Sequence, residues 1–348
     1  VATHVFVDYA APLTRFPSLG RMLGRLASQP HAPDVICLGS SRMVGALLED
    51  TGKILGAMAH EEREVLTADC ALSGVGLRSQ ELILSHVLAM GARPRVAILE
   101  VAPDLLADST LFKWNVGSRH LALAELPFSM GWKDLPELAY QSAHRAALPL
   151  HYYRSSLSAQ AYALARTGKL DYPLSNPRPS WQPALAAHHE APSALRWEDL
   201  LHEPPPEEDT PQRAALINDI RTSWRKLHAS WAPKAEMDAC VERMARRLQE
   251  LGAQVILLEC PVTSTFRRIM PAEKRAEYLA HVEDLSRRLG CKYVDASAWL
   301  PDCYFKDSHH VAAGAMSYYS RLLVKRAVLP VWEQGRGEYQ DATARAGK

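Results

Sequence analysis

"DVICLGSSRMVGAL", residues 34–47, decides how this chain is read: an apolar run from Val35 to Leu38 stops at Gly39-Ser40-Ser41-Arg42, and a helix-like pattern resumes. A strand that ends in a small-residue turn and feeds a helix places the turn's side chains, and the helix's first free N–H groups, at the C-terminal edge of a sheet. Open α/β proteins keep their sites there. Comparable short runs recur at Val65 to Thr67, Val96 to Val101, Val255 to Glu259 and Tyr293 to Asp295. Between them lie "RSQELILSHVLAMG" (78–91), "AEMDACVERMARRLQELG" (235–252) and "PAEKRAEYLAHVEDLSRRLG" (271–290), apolar at helical spacing and each closed by Gly. Strands alternating with helices predict an α/β fold with a central parallel sheet covered on both faces.

The alternation breaks after the third strand and resumes near residue 235, far more chain than one crossover helix needs. The core is therefore expected at 34–104 and 235–328, with a lead-in at 1–33 and a frayed tail at 329–348. Residues 105–234 form an insertion, helical in its first part and then rich in Pro and acidic residues, an irregular wrap or a mobile lid.

Composition narrows the function classes. Among 348 residues, 40 basic and 39 acidic side chains nearly cancel, and no sustained Lys/Arg block could track a phosphate backbone, so nucleic acid is not an expected partner. No apolar stretch approaches the length of a transmembrane helix. The chain starts at Val1 without Met, which leaves an upstream signal peptide or membrane anchor open. Cys37, Cys70, Cys240, Cys260, Cys291 and Cys303 contain no C-x-x-C pair and read as free thiols rather than a zinc site. His188-His189 beside Glu190 are adjacent and cannot present both rings as an i,i+4 pair does, so no metal and no cofactor is expected. The insertion's aromatics (Trp114, Trp132, Tyr152, Tyr153, Trp181, Trp197) read as core first and as a sugar-stacking platform second.

Reading the strand ends in turn for polar residues gives Gly39-Ser40-Ser41-Arg42, then Asp69 and Ser73-Gly74-Val75-Gly76, then Glu100 with the Ala-Pro-Asp turn at 102–104. The fourth gives Cys260-Pro261-Val262-Thr263, and "CYFKDSHHVAAGAMSYYSRLL" supplies Asp307, His309 and His310 after the fifth. A serine, an acid and a histidine at one sheet edge make nucleophilic catalysis possible. The serine needs a base, the imidazole needs a carboxylate to fix its tautomer, and the oxyanion needs N–H donors. The Ser41 N–H, expected at a helix start, and the Gly74 N–H are the candidate donors. Ser73 reads as a turn cap, and Arg42 as a salt-bridge residue before a substrate clamp.

Gly-Ser-Ser after the first strand, a Gly-bearing second loop, and Asp-x-x-His before the last helix resemble the SGNH (GDSL-like) hydrolase superfamily. "GSSR" with the late "F-x-D-x-x-H" and a following Gly-Ala is similar to its extracytoplasmic O-acyltransferase branch, which includes the D-alanyl transfer and alginate O-acetyltransferase families. The resemblance covers the core and not the insertion. It implies a flavodoxin-like three-layer sandwich, Ser41 as nucleophile, Asp307 as orienting acid and one of two histidines as base. Asp-x-x-His spacing selects His310; counting back five residues from Gly314 selects His309, and His310 is the favoured reading. Ser73, Gly74, Asp69 and Arg42 would surround the oxyanion and substrate. The resemblance further implies an acyl donor, a glycan or small-molecule acceptor, a membrane-bound acyltransferase as partner, and a periplasmic or membrane-tethered location. The sequence departs from the superfamily at two blocks. Asp69 stands where an Asn is expected, and "LEVAPD" replaces Gly-x-Asn-Asp. Loss of one oxyanion donor can cost ~10²-fold or more in rate. A lipase or thioesterase on small or lipid esters, and a non-catalytic glycan-binding module, are the competing functions.

Overall fold

The apolar run at 35–38 is a fully buried strand in the computed structural model, which describes residues 13, 16–107, 149–182 and 196–335, the side chains of 149–155 and 218–223 excepted. It is β1 (Val35–Leu38) of a parallel sheet with β2 (Thr67–Asp69), β3 (Val96–Glu100), β4 (Gln254–Glu259) and β5 (Lys292–Asp295). The order is β2-β1-β3-β4-β5, that of flavodoxin-like sheets, whose ligands bind outside the carboxyl ends of the strands. The second strand starts two residues later than its apolar run suggests. Val35 pairs with Thr67, while the Leu66 carbonyl is already used by the Asp34 N–H at 2.8 Å.

The helices, in chain order among the described residues, are α1 (Pro17–Ala27), α2 (Thr51–Met58), α3 (Leu77–Ala89), α4 (Pro103–Ala107), α5 (Pro149–Thr167), α6 (Trp197–Leu200), α7 (Pro211–Ala229), α8 (Ala235–Glu250), α9 (Ser264–Arg267), α10 (Ala272–Leu289) and α11 (Ala313–Leu323). The three helices expected from periodicity are α3, α8 and α10. The glycines that follow them take φ of +95°, +85° and +62° at Gly91, Gly252 and Gly290, a left-handed region that ends a helix at little cost only for glycine. The chain is an α/β fold with a central five-stranded parallel sheet flanked by helices and carrying a long insertion. No helix among the described residues is long and apolar enough to cross a membrane.

The chain forms two compact units. One comprises Val1–Pro30, Gly74–Ala92 and Ser109–Trp181. In it α1 packs on α3, Arg21 pairs with Asp171 at 2.9 Å, and the Gln160 amide donates to the Tyr172 carbonyl at 3.0 Å. The other, His31–Ser73, Arg93–Asp108 and Gln182–Lys348, holds the sheet. One sheet face, with Val35, Cys37, Val96, Ile98, Ile256, Leu258 and Val294, packs on Leu55 of α2 and on α11 and the helical turns after it, through Tyr319, Leu323 and Val328. Side chains alternate along a strand, so Ile36, Leu38, Ala97, Leu99 and Leu257 point the other way. All five are buried, and α8 and α10 lie against β4 and β5 and against each other. The insertion from Gln182 onward belongs with the sheet: α7 packs on α4 and α9, and the Trp231 indole N–H donates to the Pro103 carbonyl at 2.8 Å. The Pro-rich stretch at 201–210 has no regular secondary structure, as its composition predicts.

One local expectation is overturned. No helix starts after β1; residues 41–47 are turns, and the next helix begins at Thr51. The physical reason is that the Gly45 N–H is taken by the Asp69 carboxylate, with Gly45 at φ +85°, so its backbone cannot propagate a helix.

Helix α2 approaches β2 through a bare backbone. A Cβ on Gly52 would stand 2.1 Å from the Val65 carbonyl oxygen. Backbone cannot swing aside as a side chain can, so Gly52→Ala is expected to lower stability by about 1–3 kcal/mol, read as a fall in the chemical-denaturation midpoint.

Candidate active site

The loop after β1 is held from two sides. The Asp69 carboxylate accepts from the Ala71 N–H at 2.9 Å, from the Cys37 thiol at 3.3 Å and from the Gly45 N–H. It ties the ends of β1 and β2 together. An ionised carboxylate only accepts, so Asp69 supplies no donor in place of the Asn expected there. On the other side stands Glu100, the last residue of β3 and 0 % exposed. It accepts from the Ser40 N–H, from the Ser40 hydroxyl at 3.0 Å and from Arg42 Nε at 2.7 Å. Arg42 Nη1 and Nη2 then form a fork onto the two Asp104 oxygens at 2.9 and 3.0 Å. Gly39 is required beneath this cluster, because a Cβ there would lie 2.7 Å from Glu100 Oε2 and 2.4 Å from Met43 Cγ.

Electrostatics follow from burial and pairing. Burial disfavours the Arg42 charge, but Asp104 and Glu100 outweigh it and hold the guanidinium well above its ordinary value. Burial also works against the Asp104 charge, and Arg42 brings that carboxyl below the usual range. Arg42 is accordingly paired inside the protein, 6 % exposed, with Nε and both terminal nitrogens bonded to carboxylates. Burial pushes the Cys37 and Cys260 thiols well up, so neither is a thiolate nucleophile.

The late Asp/His segment is a tight hairpin. Phe305 and Val311 form an antiparallel bridge, the Lys306 N–H donates to the His310 carbonyl at 3.0 Å, and the Ala312 N–H to the Tyr304 carbonyl at 2.9 Å. At its tip Asp307 Oδ1 accepts from the His309 and His310 N–H groups at 3.0 and 2.8 Å. Asp307 Oδ2 lies 2.7 Å from His310 Nδ1, and His310 Nε2 lies 2.7 Å from Ser41 Oγ. Because the carboxylate can only accept, Nδ1 carries the proton, and Nε2 is left to accept from the Ser41 hydroxyl. Burial raises the Asp307 carboxyl, but bonds from the His310 ring and the two N–H groups hold it well below the carboxylate range. The Ser308 carbonyl is anchored by the Thr263 N–H at 3.0 Å and the Thr263 hydroxyl at 2.8 Å, which joins the hairpin to the end of β4.

The structure thus brings Ser41, Asp307 and His310 together and leaves His309 to one side. His309 bonds the Ser308 hydroxyl at 2.9 Å and lies tilted against His310, ring centroids 4.1 Å apart and planes at 41°, with Phe266 at 5.4 Å and Trp224 at 6.5 Å. Burial, then the neighbouring His310 and Arg42, lower its imidazole to about 3. The Ser41 N–H has no acceptor among the described residues. Ser73 and Gly74 are exposed, Gly74 at φ +75°. Asp307, His309 and His310 are near enough to one another to hold a cation, but the Asp307 and His310 atoms are already spent on the chain of bonds to Ser41. His188, His189, Trp114 and Trp132, and the side chains of Tyr152 and Tyr153, lie outside the described residues. Trp197 is partly buried against the core, with Lys325 over its ring at 5.5 Å, and Trp181 is partly buried.

Two groups carry weight that sequence reading did not assign. Glu100 and Asp104 were visible as strand-end carboxylates, but nothing local told that both belong to Arg42. Arg213, on the insertion's α7, reaches the hairpin: its Nε donates to the Phe305 carbonyl at 2.7 Å and its Nη2 to the Asp302 carbonyl at 2.5 Å. An Arg just past a Thr-Pro helix start gives no long-range signal.

Removing one partner of a buried ion network strands the rest, so Arg42→Met is expected to cost about 3–5 kcal/mol of stability, measured by urea denaturation. Stability also depends on pH through His309. Unfolded, its imidazole protonates near 6.5; folded, at about 3. The unfolded state binds more protons as pH falls, so this contribution is whole above about pH 6.5 and drains away toward pH 3, at up to about 1.4 kcal/mol per pH unit. The same denaturation series is expected to be flatter between about pH 6 and pH 4 in His309→Gln.

No family model and no curated protein matches the chain in sequence. Among solved structures it is similar to a Bacteroides fragilis protein described as a "putative acylhydrolase", at 10% identity and a TM-score of 0.38, over 88% of this chain and 93% of that one. The fold assignment rests on the strand order itself.

Proposed function

We propose that this chain is a serine-dependent acyl-ester hydrolase or O-acyltransferase that works through an acyl-enzyme at Ser41. The observation that carries the reading is the continuous chain of hydrogen bonds Ser41–His310–Asp307, each link 2.7 Å between side-chain atoms. Ser41 Oγ attacks the acyl carbonyl carbon and passes its proton to His310 Nε2. Asp307 holds the imidazole's tautomer and stabilises its cation, kept ionised by its own bonds. The oxyanion collapses, the ester C–O bond breaks, and the leaving alkoxide takes the proton from His310. Water or a hydroxyl then attacks the acyl-enzyme, giving its proton to His310, and Ser41 leaves with that proton. The Ser41 N–H is an available donor to the oxyanion.

The acceptor we favour is a carbohydrate or cell-envelope glycan outside the cytoplasm, with the acyl group delivered by a membrane-bound acyltransferase. Supporting this finer reading are "GSSR" and "F-x-D-x-x-H", the motifs similar to the O-acyltransferase branch.

A fluorophosphonate probe followed by intact-mass measurement tests the chemistry. One adduct is expected on the native protein and none on Ser41→Ala, with short-acyl ester turnover falling about a thousandfold or more in that variant and in His310→Gln. A folded protein that takes no adduct would overturn the reading and favour a glycan-binding module. Turnover rising with acyl length would favour the lipase alternative.

A further inference from the structure

The hairpin that carries Asp307 and His310 is fastened at both ends, and the fastenings come from different parts of the chain. On the core side Thr263 anchors the Ser308 carbonyl through its N–H and its hydroxyl. At the other end the core residue Ser264 holds the Asp302 carboxylate through its N–H and its hydroxyl, both at 2.6 Å, and the insertion adds a further fastening. Arg213 is only 11 % exposed, and its fork spans two carbonyls three residues apart, Asp302 and Phe305, at 2.5 and 2.7 Å. Upstream of it the Glu207 N–H donates to the Cys303 carbonyl at 2.8 Å. Helix α7 starts in a way that aims this side chain: the Thr210 hydroxyl caps it by accepting from the Arg213 N–H at 3.2 Å. Its carboxylate neighbour, Asp209, is 3.6 Å away and 88 % exposed, a pair worth little in water. The guanidinium is held instead by the hairpin's backbone.

Two carbonyls at that spacing suit a planar fork, whereas a lysine's compact ammonium cannot reproduce the fork. Phe305 is the residue whose bridge to Val311 closes the hairpin, so a shift in its carbonyl moves the strand two residues before Asp307. A misplacement of about 1 Å far from the reacting atoms can cost about 10²-fold in rate.

We propose that Arg213 is a positioning residue that sets the Asp307–His310 pair against Ser41, so that α7 completes the site although none of its described side chains bonds the Ser41, His310 or Asp307 side chains. The rate part of this inference rests on the proposed function; the geometric part does not. In the full chain, Arg213→Met is expected to speed hydrogen–deuterium exchange of residues 304–312 and to weaken the low-field proton signal of the His310–Asp307 bond. It is also expected to lower kcat on a short-acyl ester by about 10- to 100-fold with KM little changed. Arg213→Lys, which keeps the charge and one bond, is expected to fall between. Unchanged exchange and an unchanged low-field proton in a folded Arg213→Met would overturn the proposal. Exchange and proton that respond, in a protein that never labels at Ser41, would leave the positioning role standing and remove the catalytic reading instead.

Discussion

The buried Arg42 charge is the constraint on which the site depends. A guanidinium removed from water is costly unless its donors are met, and here Glu100 and Asp104 meet them from the end of β3 and from the helix that follows. The pairing dictates local geometry. Ser40, bonded to the same carboxylate, turns inward, and Ser41, one residue on, is left facing the histidine. Two neighbouring serines thus receive opposite orientations because one ion network claims the first of them. The carboxylates also explain why β3 ends as Glu-Val-Ala-Pro-Asp: that segment is occupied in holding the serine turn and offers no amide to an oxyanion.

The other half of the site obeys a different logic. Asp307, His309 and His310 are close in sequence, and their geometry follows from one carboxylate capping the two N–H groups ahead of it. Adjacent residues in such a turn cannot both face Ser41. His310 takes the shared bond, and His309 is pressed among aromatic rings, where charge is unwelcome.

What was legible in the sequence divides along the same line. The strands, the helices closed by glycine, and Asp-x-x-His could be read because each depends on residues within a few positions of one another. The turn at 41–47 reads as the start of a helix because its pattern is apolar at helical spacing; what prevents a helix is Asp69, which claims the Gly45 N–H from another strand. Arg42 lies 58 residues from Glu100 and 62 from Asp104, and no periodicity connects them. Arg213 belongs to an insertion that composition describes as helix and Pro-rich wrap, a description blind to which carbonyls a single side chain will find.

The strand order bears on how the sheet comes together. β2, β1 and β3 are contiguous in sequence, as are β4 and β5, so each group can pair early and locally. The seam between them, β3 with β4, runs from Glu100 to Gln254 and must close a loop of about 150 residues; logarithmic growth of loop entropy makes that only about 1.5 kcal/mol dearer than a ~30-residue crossover. A cost so small at equilibrium still orders events in time, because the closure entropy must be met before the contacts that offset it form. The central seam is then the pairing expected to close last. Until it forms, Glu100 has Arg42 and Ser40 from the first half of the chain, while the histidine that will face Ser41 is still held in the second.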